Sequence, residues 1–281
     1  MDREKITAEF ASVPSYQHAD GSFSLWPGLE SMEYALFLTN YVLLVNESAK
    51  EIGLSLPEET TSKAFTFIAQ RLERLPNPDT IPAGRQNKPG DAGAASFTAQ
   101  KGEPLHESPD SIALALRLLA LHDPAEAKRL LPRAWAYCEN AEINPLGLSS
   151  FLFALDSMKD ASIASSLEAV IKEKLEKTAA VTATEMHFAS AHTNTYWRTL
   201  GSSLRDNAYA LGALTRTAPS YPRLEGLARW VGQRLGDMQS LSTQESVFGV
   251  WGLATYLQSL GGDQNVSVFS GSFGIQWTAR K

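Results

Sequence analysis

Few residues of this 281-residue chain have the types and spacings that do chemistry. Its single cysteine, Cys138, lies between Tyr137 and Glu139 with no basic residue beside it to lower the thiol pKa. It therefore reads as a small buried hydrophobe. One cysteine excludes an internal disulfide and any CxxC metal or redox site. The five histidines are His18, His106, His122, His187 and His192, of which His187 and His192 stand five apart with Glu185 close by. A metal centre would need a further ligand from elsewhere, and no H-E-x-x-H spacing occurs, so a solvated or hydrogen-bonded pair is the reading. No Walker loop, G-x-G-x-x-G or G-x-S-x-G elbow is present. The inventory yields no catalytic residue, no metal site and no cofactor.

Two aromatic-glycine motifs are more informative. Gln17-His18-Ala19-Asp20-Gly21-Ser22-Phe23-Ser24-Leu25-Trp26-Pro27-Gly28 reads as a turn cornered by Gly21, with Phe23 and Trp26 plugging the end of a helical hairpin. The functional alternative is an aromatic-lined pocket presenting π faces to a cation. The second motif runs from Trp197 through Leu204-Arg205-Asp206-Asn207-Ala208, where Ser202 or Ser203 caps a helix. Ser242-Thr243-Gln244-Glu245 and Asp123-Pro124-Ala125-Glu126 each have the spacing of a capping box.

The elements that carry these motifs read almost uniformly as helix. Apolar residues fall on nearly every face of Ser31–Glu51, 110–121, Leu146–Leu155 and Val247–Leu257, which a helix tolerates when other helices surround it. Thr61–Arg74, 124–139, Ser162–Lys177 and 223–235 are amphipathic, and 204–215 is small and apolar. Such alternation predicts an all-α fold of helical hairpins, each with one inner and one outer helix. Closed into a ring they make an α/α toroid, and stacked in a line a solenoid. No fixed-period repeat motif is present, which favours the ring. Residues 76–107, rich in proline and glycine, read as a surface excursion, and 179–201 as a second irregular stretch. Phe269 to Trp277 alternates apolar and small residues like a short strand. The expected organisation is one domain over 1–262 and a tail over 263–281, the stub of a neighbouring β domain.

Composition narrows the partners. Lys and Arg number 25 against 31 Asp and Glu, a formal charge of -6 that argues against a nucleic-acid platform or polybasic membrane surface. No run of 18 apolar residues predicts membrane insertion, and Met1-Asp2-Arg3-Glu4 opens no signal peptide. Asn46-Glu47-Ser48 and Asn265-Val266-Ser267 match glycosylation sequons at a frequency chance supplies.

In order and spacing, Asp20-Gly21-Ser22-Phe23-x-x-Trp26-Pro27-Gly28, Tyr41-Val42, Ile52-Gly53-Leu54-x-Leu56-Pro57, Tyr196-Trp197, Leu204-Arg205-Asp206-x-Ala208 and Leu241-Ser242-Thr243-Gln244-Glu245 resemble the thioester-domain region of bacterial alpha-2-macroglobulins. The resemblance spans roughly residues 14 to 260 and is carried in 76–190 only by alternating helices. It implies an α/α toroid, Asp20, Gly21, Phe23, Trp26, Trp197, Arg205, Asp206 and Ser242 to Glu245 as structural motif residues, and membership of a protease-trapping protein. The partners it implies are other domains of the same larger chain and target proteases, in the periplasm or cell envelope. The family's reactive thioester needs Cys-x-Glu-Gln, whereas Cys138 is followed by Glu139-Asn140-Ala141. The chain is therefore expected to be non-enzymatic and without its own thioester: the family's segment would fall upstream of Asp2, so that either the sequence begins after the motif or this member has lost it. His106 matches too poorly to inherit the histidine that assists thioester transfer. Two other readings stay open: a terpene-cyclase or prenyltransferase-like toroid enzyme, suggested by Gln17-x-x-x-Gly21-x-Phe23 but lacking D-x-D-D, and a plain protein-interaction module.

Overall fold

The apolar runs fold as helices. A computed structural model describes residues 3–28, 34–76, 107–191, 200–237, 241–261, 268–269 and 276–277, arranged as two compact units, Met1–Glu142 and Ile143–Lys281. The fold is all-α: among the described residues, paired strands occur only as two short two-stranded ribbons.

The first unit holds α1 (Arg3–Ser12), a 3-10 turn (Val13–Tyr16), α2 (Ala35–Lys50), α3 (Glu58–Glu73), α4 (Pro109–His122) and α5 (Pro124–Glu139). Helix α4 packs against α2, α3 and α5, which is why it can be apolar all round. Ten of its fourteen residues are buried. Helices α3 and α5 bury one stripe each, for example Ala127, Leu130, Leu131, Ala134 and Cys138 at helical spacing. Helix α2 departs from expectation. Only one of its faces is buried, that face carries Thr39, Asn40 and Asn46, and Val45 on the other side is 42% exposed. The buried polar groups have backbone work to do: Asn46 Oδ1 accepts from Leu56 N at 2.8 Å, and Asn40 Nδ2 donates to Ser111 O at 2.8 Å. Helix α1 was not foreseen, since Ile6 and Phe10 alone make too thin a stripe to signal it.

At the α4–α5 corner Asp123 Oδ1 accepts from Ala125 N and Glu126 N, but the reciprocal half of the expected box is missing. The Asp123 N–H already closes α4 on Leu119 O, so Glu126 turns instead to Arg129 at 2.7–2.8 Å.

The second unit comprises α6 (Pro145–Met158), α7 (Ala161–Lys177), β1 (Ala179–Val181), β2 (Met186–Phe188), α8 (Ser203–Thr217), α9 (Leu224–Asp237), α10 (Thr243–Ser259), β3 (Val268–Phe269) and β4 (Gln276–Trp277). Helix α8 is its axis, packed against α6, α9, α10 and β2, and every residue from Leu204 to Thr215 is buried. Helix α6 is likewise buried without interruption from Pro145 to Leu155. Glycines bring α8 and α10 together: a Cβ on Gly252 would lie 2.3 Å from Ala208 O, and one on Gly212 2.4 Å from the Trp251 ring. Helix α10 buries only Gln244, Phe248, Gly249 and Gly252, fewer than its apolar sequence suggested.

Part of the stretch read as irregular is a ribbon: β1 and β2 pair antiparallel with Ala180 opposite His187. Three-residue strands are too short to show a period of two. In the tail, β3 pairs with β4, Val268 opposite Trp277, so the single strand expected over 269–277 is in fact two paired pieces. Phe273 and Ile275 lie outside the described residues, as do Trp197, His106, His192 and almost all of the 76–107 excursion. The Ser242 box is complete, Ser242 Oγ accepting from Glu245 N at 3.2 Å and Glu245 Oε2 from Ser242 N at 2.9 Å. Ser242→Ala should therefore destabilise the chain by about 1 kcal/mol, measured as a lowered urea midpoint.

Candidate functional site

A dense polar cluster lies in the second unit at the start of α8. Ser202 caps the helix, its Oγ accepting from Arg205 N at 3.1 Å, so that Arg205, Asp206 and Asn207 fill the first turn. Arg205 sets its guanidinium on Asp206 Oδ1 through Nε at 3.0 Å and Nη2 at 2.9 Å. Both are buried, with side chains 4% and 0% exposed. Arg205 Nη1 also reaches Gln244 Oε1 at 3.4 Å, tying the start of α10 to the start of α8. On the other side Asp206 Oδ2 accepts from Ser190 Oγ at 3.1 Å. The Asn207 amide acts as a substitute strand, accepting from Phe188 N at 2.7 Å and donating to Phe188 O at 2.9 Å. Asn144 Oδ1 takes the Ala191 N–H at 2.7 Å. Residues 188–191 are thus fastened to α8 and the head of α6 by side-chain amides and a carboxylate, in addition to the ribbon bond from Ala189 N to Thr178 O at 2.8 Å.

Three of the sequence-selected residues, Arg205, Asp206 and Gln244, converge here although Gln244 is 39 positions from Arg205. Ser242 and Glu245 form the box described above, and Thr243 is an exposed first residue of α10. Trp197 lies outside the described residues. Sequence reasoning missed Asn144, Ser190 and Asn207. The available signal was an asparagine inside a helical first turn, a position its side chain takes when it has backbone elsewhere to bind.

The other motif group sits in the first unit. Gln17 and Phe23 form a bridge, with Gly21 at the corner at φ +91°. Asp20 Oδ1 closes the turn by accepting from Ser22 N at 3.0 Å and Ser22 Oγ at 2.6 Å. Gln17 Nε2 donates to Gly21 O at 3.1 Å and to Thr60 O on α3 at 2.8 Å. Phe23 is buried and donates its N–H to Thr39 Oγ1 at 3.1 Å. Trp26 corrects the expectation that both aromatics plug a hairpin end: it is 66% exposed, with Leu25 beside it at 59%. The chain turns at Ser24, whose Oγ holds Trp26 O at 2.7 Å, and so carries the indole away from the core.

The potentially reactive side chains are quiet. Cys138 has 0% exposure, its Sγ donates to Pro109 O at 3.5 Å, and burial with the nearby Asp110 charge pushes the thiol pKa well up. His187 stacks on Trp230 at 4.8 Å and 14°, and burial followed by the Arg234 charge lowers its pKa, so the ring is neutral at pH 7. No group of three His, Cys, Asp or Glu side chains able to hold a metal occurs among the described residues. Nor is any helix there long and apolar enough to cross a membrane. Both clusters bind the chain to itself through satisfied hydrogen bonds, an arrangement that holds backbone in place.

No protein-family model matches the sequence, and comparison with curated proteins returns no match. Solved structures do. The structure of trypsin-activated alpha-2-macroglobulin from Escherichia coli aligns with 91% of this chain at TM-score 0.62 and 22% identity. The chain shares its fold with a segment of bacterial alpha-2-macroglobulin. A native E. coli alpha-2-macroglobulin structure running from domain MG7 to the C-terminus aligns over 90% of the chain, at TM-score 0.61 and 21% identity. Salmonella alpha-2-macroglobulin reacted with methylamine aligns over 86%, at TM-score 0.57 and 22% identity. The chain spans 15%, 34% and 14% of the lengths of these three alpha-2-macroglobulin chains. At such identities the likeness is one of fold.

Proposed function

We propose that this chain is a non-enzymatic domain of a bacterial alpha-2-macroglobulin-like protease-trapping protein, without a thioester of its own. The observation that carries the proposal is the fold likeness over about nine tenths of the chain. Support also comes from what the similar proteins met: trypsin in one structure, porcine elastase in another and methylamine in a third. In this reading residues 1–262 form one α/α toroid and 263–281 lead into a neighbouring β domain. The partners are other domains of the same polypeptide and target proteases, and the location is the periplasm or envelope. Asp20, Gly21, Phe23, Arg205, Asp206 and Gln244 keep the toroid in shape, while Trp26 and Trp197 belong to the same motifs. Cys138 is inaccessible, and Ala141 stands three residues on where the acyl donor would need to be glutamine.

Two experiments test the proposal. First, Cys138 should resist a thiol reagent such as dithionitrobenzoate in the native chain and react fully in urea, and labelled methylamine should not be incorporated. Rapid native labelling or methylamine uptake would overturn the thioester-free assignment. Second, the protein expressed from its native reading frame is mixed with trypsin. A trap lowers cleavage of a large protein substrate while cleavage of a small chromogenic peptide persists. Unchanged cleavage of both substrates would sink the trapping role.

A further inference from the structure

We propose that the junction of α3, α4 and α5 around Glu107 is a pH-sensitive latch that holds the first unit more tightly in mildly acidic than in alkaline solution. Glu107 immediately precedes Ser108, the N-cap of α4, and its side chain is only 10% exposed. Its one cationic neighbour among the described residues is poorly placed: Arg71 Nη1 on α3 stands 3.9 Å away, beyond hydrogen-bond distance. The Arg71 guanidinium lies over the Phe67 ring at 5.1 Å, and its Nε finds no hydrogen-bond partner among the described residues. Arg133 of α5 commits its guanidinium to the end of α3, donating to Glu73 O and Leu75 O at 3.0 Å and pairing with the Glu73 carboxylate at 3.3 Å. From α5, Tyr137 Oη donates to the Glu107 backbone carbonyl at 2.8 Å, and the Cys138 thiol donates to Pro109 O at 3.5 Å. From α4 itself comes Asp110, a buried carboxyl one turn away.

A carboxylate at this position loses its water and gains one loose, non-hydrogen-bonded cation in exchange. Burial therefore prevails over the Arg71 charge and pushes the Glu107 pKa up to about 7. Because that value lies above the ordinary 4.5, the stability Glu107 contributes is fully present below pH 4.5 and is lost as pH rises through 7. Above neutrality the ionised side chain is drawn toward water. Moving it strains the Tyr137 bond to its own carbonyl and the cap of α4 beside it, so the three helices loosen together. The device depends on none of the protease-trap assignment, and the two can fail separately.

The test compares the wild-type chain with Glu107→Gln by urea unfolding from pH 4.5 to 8.5, with hydrogen exchange over α4 as the local readout. At pH 8.5 the unfolding constant of the variant should be at least about tenfold smaller than that of the wild type, against a ceiling of roughly 300-fold for a shift of this size. At pH 4.5 the two should agree within about twofold, and α4 amides of the wild type should exchange faster, beyond the intrinsic rate, as pH rises from 4.5 to 7, and level off above it. A variant-to-wild-type ratio that does not change with pH overturns the latch. Carboxyl carbon NMR of the wild type gives a second, independent decision. A Glu107 midpoint between about 6 and 8 supports the latch, and one in the ordinary carboxylate range refutes it even where Glu107→Gln does not fold.

Discussion

Arg205→Met destabilises the second unit by about 3–5 kcal/mol, the usual cost of removing one member of a buried ion pair. Methionine keeps the apolar volume of the arginine stem, so the loss reports charge and hydrogen bonding more than packing. Asp206, with no exposed surface, would lose two of its close donors, Arg205 Nε and Nη2, while keeping Ser190. Gln244 would lose its link to α8, so the start of α10 should gain mobility as well. Urea unfolding followed by helical circular dichroism measures the loss. Asp206→Leu combined with Arg205→Met is the informative second variant, since deleting both charges removes the stranded one and should recover a large part of the stability. A single variant within 1 kcal/mol of wild type would show that the buried pair is not a main source of the stability of this unit.

Gly21→Ala is the second large effect, about 3 kcal/mol or more. Two costs add. At φ +91° an alanine side chain is strained wherever it points. Its Cβ would also sit 2.1 Å from the backbone oxygen of Lys63 on α3, an atom that cannot swing aside as a side-chain tip would. The turn would lift away and loosen Gln17 from Thr60, and with it the seat of Phe23. Gly28→Ala separates the two costs. Gly28 has φ +78° but meets nothing within 4 Å, so it should lose only the conformational part, about 1 kcal/mol. Equal losses at both positions would show that the turn does not press on α3.

The helices were legible because burial on one face or on all faces leaves a pattern in the sequence. The stripes of α3 and α5 and the unbroken apolar runs of α4 and α6 all fell where hydropathy placed them, with ends shifted by a few residues. Pattern failed where polar side chains bind backbone out of register with any period. Thr39 and Asn46 hold loops, and Asn40 the first turn of α4, against the inner face of α2, so the buried stripe of that helix is partly polar and its outer face partly apolar. Asn207 and Asn144 do the same for residues 188–191, and no spacing rule links positions 144, 190 and 207. Trp26 illustrates the opposite failure. An aromatic beside a buried Phe23 looks like core until the backbone turns between them, and a bond from Ser24 to Trp26 O is invisible to hydropathy. Arg205, Asp206 and Gln244 were singled out by resemblance, whereas their meeting is a property of helix packing that no local pattern contains.

The glycine contacts between α8 and α10 act as a key. Sliding of one helix along the other is opposed, because it carries the Gly252 notch off the Ala208 carbonyl, where not even a methyl group fits. Nor can they separate slightly, since Trp251 lies in the notch at Gly212 and packs with Tyr209 at a ring distance of 5.7 Å. Keyed helices do not absorb a push by shearing. A displacement applied at the head of α10 is therefore expected to carry α8 with it, the two helices moving as one body.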